Sequence, residues 1–101
     1  MTEEIRLIHP TQIILQKFED PAHGWIEAPI KLLAALGIEK EISSFSYVDH
    51  AAGLVYLEED CDAPRLEKAL LGLGLEVHID HYLDEEEDSF IRSLDHYEKG
   101  A

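Results

Sequence analysis

The chain's chemically useful side chains are two runs of carboxylates, six histidines and one thiol. Glu58-Glu59-Asp60-Cys61-Asp62 and Asp84-Glu85-Glu86-Glu87-Asp88 cluster the oxygen ligands that hard divalent cations prefer. Neither run has the spacing of a calcium-binding loop or the glycine on which such a loop turns. The first run falls between an expected strand end and an expected helix start, where acids also stabilise a helix N-terminus, by roughly 0.3–1 kcal/mol each. Among the histidines, His78 and His81 are three apart, a spacing that sends them to opposite faces of a strand. His23 and His50 fall in expected turns, and His81 on an apolar face reads as a hydrogen-bonded core residue. Cys61 is the single cysteine, which excludes an internal disulfide and a cysteine zinc cluster. The acids beside it oppose thiolate formation. No Gly-x-Ser-x-Gly elbow, phosphate-cradling glycine loop or dinucleotide fingerprint occurs. These residues favour binding over catalysis, with no catalytic residue, no metal ligand and no cofactor assigned. A small metal-dependent enzyme using the histidines and the 58–62 run is the alternative.

Charge narrows the partners. The 101 residues carry 8 Lys+Arg against 22 Asp+Glu, a formal net charge of −14. Residues 1–50 hold four bases and eight acids, residues 51–101 four and fourteen, so the two halves stand at −4 and −10. A field of this sign disfavours direct contact with nucleic acid or an anionic membrane and suits a basic protein surface. No apolar run approaches the roughly 18–20 residues that span a bilayer. The acidic start, Met1-Thr2-Glu3-Glu4, lacks the basic region of a signal peptide. A cytoplasmic setting is expected.

The elements that must position these groups fit one small domain, residues 1–101, with 84–101 as an acidic loop and C-terminal tail. Residues 11–18 read as a strand, 19–24 as a turn begun by Asp20-Pro21, and Trp25-Ile26-Glu27 as the returning strand. Pro29 opens a helix to about residue 36, with Ile30, Leu33 and Ala34 as its apolar stripe and Gly37 as its stop. Residues 43–49 read as a strand with Phe45 and Tyr47 on one face, 50–53 as a hairpin turn, and 54–57 as its partner. Asp62 is the expected N-cap of a second helix whose stripe is Leu66, Ala69, Leu70 and Leu73, ended by Gly72 and Gly74. A last strand covers 75–83, with Leu75, Val77, Ile79, His81 and Leu83 inward. The order β-β-α-β-β-α-β predicts an α+β domain, a mostly antiparallel sheet with two helices on one face. Phe90, Leu94 and Tyr97 suit a short docking helix or an extended arm.

Four stretches carry a resemblance: His23-Gly24-Trp25, Ser43-Ser44-Phe45-Ser46-Tyr47, Tyr56-Leu57-Glu58-Glu59-Asp60-Cys61-Asp62-Ala63 and Asp88-Ser89-Phe90-Ile91-Arg92. In this order they resemble a group of small phage-, prophage- and plasmid-encoded proteins of no established activity. The Tyr56 to Ala63 stretch is the most specific, and Ala52-Gly53 departs from the Gly-Asp common in the group. The resemblance implies a mobile-element accessory protein, a class in which small acidic proteins often inhibit CRISPR or restriction systems. It brings no catalytic residues.

The expected function is therefore a non-enzymatic inhibitor that binds a basic-surfaced, nucleic-acid-handling defence protein through its acidic face. Glu58, Glu59, Asp60, Asp62, Asp84, Glu85, Glu86, Glu87 and Asp88 would carry the electrostatics, with Trp25, Tyr82 and Phe90 as anchors. A plain solubility role for the acids, and a structural module that forms a homodimer through an edge strand or the tail, are the competing readings.

Overall fold

Period-two alternation gives the sheet two different faces. In the computed structural model, which describes residues 12–83 and 89–98, the elements are β1 (Gln12–Glu19), β2 (Gly24–Pro29), α1 (Ile30–Leu36), β3 (Tyr47–Asp49), β4 (Leu54–Glu58), α2 (Ala63–Gly72), β5 (Glu76–Leu83) and β6 (Asp95–His96). Short 3₁₀ turns occupy Glu39–Glu41 and Phe90–Ser93. The strands form one mixed sheet in the order β5-β1-β2-β4-β3-β6. Every neighbouring pair is antiparallel except β1 with β5. The α+β class and the order of its first seven elements are as the sequence implies.

The connections explain why both helices share a face. β2 and β3 run in one direction and are joined through α1; β4 and β5 run in the other and are joined through α2. Both are crossovers between parallel strands, and such crossovers keep one hand. Reversing strand direction and displacement together leaves the helix on the same side. There Leu32 and Leu33 of α1 and Leu66 and Leu70 of α2 pack on Ile13, Leu15, Ile26, Val55 and Leu57. The opposite face holds a smaller cluster of Trp25, Tyr56 and Ile91, with Phe18, Tyr47, Leu54 and Leu94 against it. The C-terminal segment brings Ile91 and Leu94 onto that face.

Several local expectations are corrected. The third strand starts only at Tyr47, because Ser43 gives its amide and hydroxyl, and Ser46 its hydroxyl, to the Asp62 carboxylate. Such bonds bend the backbone away from a ladder, and Phe45 ends 65% exposed. The same bonds take Asp62 from its expected role, since its side chain caps no amide of α2. α2 ends at Gly72 with Gly74, at φ +81°, in the turn beyond, as expected, but Leu73 lies past the helix end and is 66% exposed rather than part of the apolar stripe. In α1 the inward residues are Leu32 and Leu33, with Ala34 exposed. His81 and Leu83 are also exposed, for β5 is an edge strand and α2, ten residues long, covers only Val77 and Ile79. The tail docks on its own chain, partly as the Phe90–Ser93 turn and partly as β6. No helix among the described residues is long and apolar enough to cross a membrane.

Candidate functional site

The turn after β1 organises one end of the sheet. Asp20 closes it by donating its amide to the His23 carbonyl at 2.9 Å. Its carboxylate accepts from the amides of Ala22 and His23 at 3.0 and 2.8 Å. The same carboxylate takes the Ser89 amide at 3.1 Å, Arg92 Nε at 2.8 Å and Arg92 Nη2 at 3.3 Å. Five donors converge on one buried side chain. The Arg92 guanidinium and the three amides hold its carboxyl far below the usual carboxylate range, outweighing burial. Arg92 in turn lies over the Trp25 ring, 5.3 Å from its centroid.

This anchor sets one wall of a cleft of about 320 Å³. Trp25 is 2% exposed, with its indole N–H buried and lacking an acceptor. Tyr47 meets it edge-on at 6.2 Å, and the His96 ring lies 4.6 Å from Tyr47. Strand register makes these neighbours: Trp25 pairs with Glu58 across β2 and β4, and Tyr47 with His96 across β3 and β6. Phe45, Glu58, Asp60 and Cys61 line the cleft as well. Glu58 Oε1 accepts the amides of Asp60 and Cys61 at 2.9 and 2.8 Å, which holds the turn after β4 in place. Aromatic walls, two carboxylates and the Arg92 guanidinium thus share one cavity, with Arg92 itself lying over the Trp25 ring.

The remaining expected site residues fall in different places. Asp62 is 1% exposed and binds Ser43 and Ser46, so it is a structural acid and not part of a contact surface. Trp25 is buried and contributes to the cleft rather than projecting as an anchor. Glu59 is held by Lys17 at 3.0 Å. Burial works against the Lys17 ammonium, but the bond to Glu59 and nearby carboxylates outweigh it and raise its pKa. Tyr82 and Phe90 are half exposed; both rings pack on Phe18, Tyr82 stacked at 5.3 Å and Phe90 edge-on at 5.8 Å. Asp84, Glu85, Glu86, Glu87 and Asp88 lie outside the described residues.

His23, Glu58 and Glu59 bring one ligand atom each within 4.8 Å of one another, the only such metal-ligating group among the described residues. The Lys17 ammonium already stands at Glu59 and two amides at Glu58 Oε1, so both carboxylates of this trio already have donors. Cys61 is exposed, and its thiol is pushed up by partial desolvation, then by Glu58, Asp62 and Asp60. Phe45, Tyr47, Arg92 and His96 are cleft residues that reading the sequence did not single out. Tyr47 and Phe45 had an alternation signal, but nothing local links Arg92 to Asp20 across 72 positions. No family model matches the chain, and neither the curated proteins nor the solved structures provide a match.

Proposed function

We propose that the chain is a non-enzymatic binding protein that docks on a basic-surfaced, nucleic-acid-handling protein by taking one of its lysine or arginine side chains into the cleft. The observation that carries this is the meeting of Trp25, Tyr47 and His96 with Glu58 and Asp60 in one cavity. Phe45, 65% exposed, offers a cation–π face and the carboxylates supply counter-charge, while the net charge of −14 speeds the encounter. The raised Cys61 thiol supports binding over nucleophilic chemistry. Resemblance to mobile-element proteins leads us to place the partner among host defence effectors of the CRISPR or restriction kind, with inhibition in the cytoplasm as the outcome.

Trp25 is the sole tryptophan and lines the cleft, so its fluorescence reports occupancy. Titration with short lysine- and arginine-containing peptides should give a saturable change, weakened by salt. E58Q combined with D60N should abolish it, and E41Q, outside the cleft, should leave it intact. A peptide response equal in the double variant would overturn the cleft reading. The partner itself is sought by capture from a bacterial lysate at low and near-physiological salt, with nucleic acid as competitor.

A further inference from the structure

The sheet's outer strands are unequal. β6 is two residues long and polar. β5 is eight residues long, and among the described residues its only partner is β1. Exposed large apolar side chains gather around it: Ile14 on β1, Tyr82 and Leu83 on β5, and Leu71 and Leu73 at the end of α2, which packs on β5. A long edge with apolar flanks is a template for another strand.

We propose that this edge is a self-association surface, β5 pairing antiparallel with β5 of a second copy about a two-fold axis at Ile79. Opposite residues in an antiparallel pair share a face and interact directly, so charge selects the register. An axis at His78 would set Glu76 against Asp80 of the second copy, and an axis at Asp80 would set that acid against itself. The axis at Ile79 sets His78 against Asp80 twice, Glu76 against Tyr82 twice, and Ile79 against Ile79. It also overlaps the strand from Glu76 to Tyr82. On the helix face it brings Leu83 of one copy to Leu75 of the other, the residue that leaves α2 two positions after Leu73. His78 already bonds Glu76 at 2.9 Å and would gain Asp80 across the axis. Leu83, 71% exposed, is thus covered by the half-buried Leu75 of the other copy, and two six-stranded sheets become one. An isologous contact of this kind closes at two copies.

The test is sedimentation equilibrium of the full chain over a wide concentration range, with three variants. The wild type should dimerise. H78D sets acid against acid, and D80K sets lysine against histidine; each acts twice and should weaken the dimer at least about tenfold. H78D combined with D80K exchanges the two chemistries, sets a carboxylate against an ammonium at both contacts, and should restore the dimer. Both positions are exposed, and circular dichroism checks that each variant folds. A monomeric wild type overturns the proposal and assigns the edge to another occupant, such as residues 1–11 or a foreign strand. A dimer indifferent to both single variants places the contact elsewhere and overturns it equally. The cleft is built on β2, β3, β4 and β6, so its peptide response should survive H78D, and the two proposals fail separately.

Discussion

Residues 89–98 cross one face of the sheet from the β1–β2 turn to β6 and pair Arg92 with the buried Asp20, while at the β5 end an eight-residue strand has no partner along its outer side among the described residues. That segment is held by polar contacts between residues remote in sequence: Arg92 to Asp20 at the β1–β2 turn and, toward β6, the Tyr97 amide to the Ser46 carbonyl at 2.8 Å and His96 Nδ1 to the Ser44 carbonyl at 2.7 Å. Among the described side chains, each polar group placed out of water there finds a partner, apart from the Trp25 indole N–H. The β5 end carries titratable groups in water, His81 beside Glu19 and His78 beside Glu76. Closing an end with directional bonds shapes a cavity of fixed chemistry. An end left open supplies ladder groups and apolar area to whatever pairs with it.

Removing the anchor tests this contrast most severely. D20A takes a buried carboxylate from the part-buried Arg92 and from three amides, and losing charged hydrogen bonds of this kind costs about 1.5–3 kcal/mol. Urea unfolding should show that loss, and the peptide response of Trp25 should vanish with it. H78D at the open end should leave monomer stability within about 0.5 kcal/mol of wild type. Equal costs at the two ends would break the comparison.

Acid provides a second test of the same anchor. The Asp20 carboxyl is depressed in the folded state, so its stabilisation is complete above the unfolded value of about 3.9 and is lost as pH falls below it. Protonating the many other acids relieves repulsion over a similar range, so the informative quantity is the difference between wild type and D20N. That difference should be constant at neutral pH and shrink below about pH 4. A difference that instead grew on acidification would mean that Asp20 is not the buried anion described.

Most of the sheet was legible in the sequence because its signals are local: β1 and β4 are short apolar, β-branched runs beside turn residues, and β5 alternates. The cleft was legible only in part. Glu58 and Asp60 were singled out for charge, and Trp25 for its size, but the reason they share a wall is the register of β2 on β4. Asp62 misled because Asp before Ala-Pro reads as a cap, whereas its carboxylate serves two serines 16 and 19 positions earlier. Long-range polar partners leave no periodic mark on a chain.

Those serines give a smaller effect, intermediate between the two ends. Ser46 donates to Asp62 and accepts the Glu58 amide at 3.0 Å, so one hydroxyl joins the start of α2 to the end of β4. S46A should cost about 1–3 kcal/mol, since it leaves a buried carboxylate and an amide short of a partner. It should also weaken peptide binding more than its stability cost implies, because Glu58 loses its backbone support. Unfolding and Trp25 titrations on the same variant separate the two.

The smallest effect is on Cys61, where stability should not change and reactivity should. Desolvation and the carboxylates of Glu58, Asp62 and Asp60 raise the thiol, so less thiolate is present near neutrality than in a free cysteine of pKa about 8.5. Alkylation by iodoacetamide should therefore be slower than that of a cysteine peptide, with its rate midpoint displaced upward, and E58Q should move the midpoint down. Faster alkylation would make Cys61 an activated thiol and reopen the catalytic reading. A cation in the cleft alters the same balance, because positive charge beside the thiol favours its anion. A basic peptide that binds as proposed should then accelerate alkylation of Cys61, provided the thiol stays accessible beside it. A peptide that binds without doing so occupies some other part of the acidic surface.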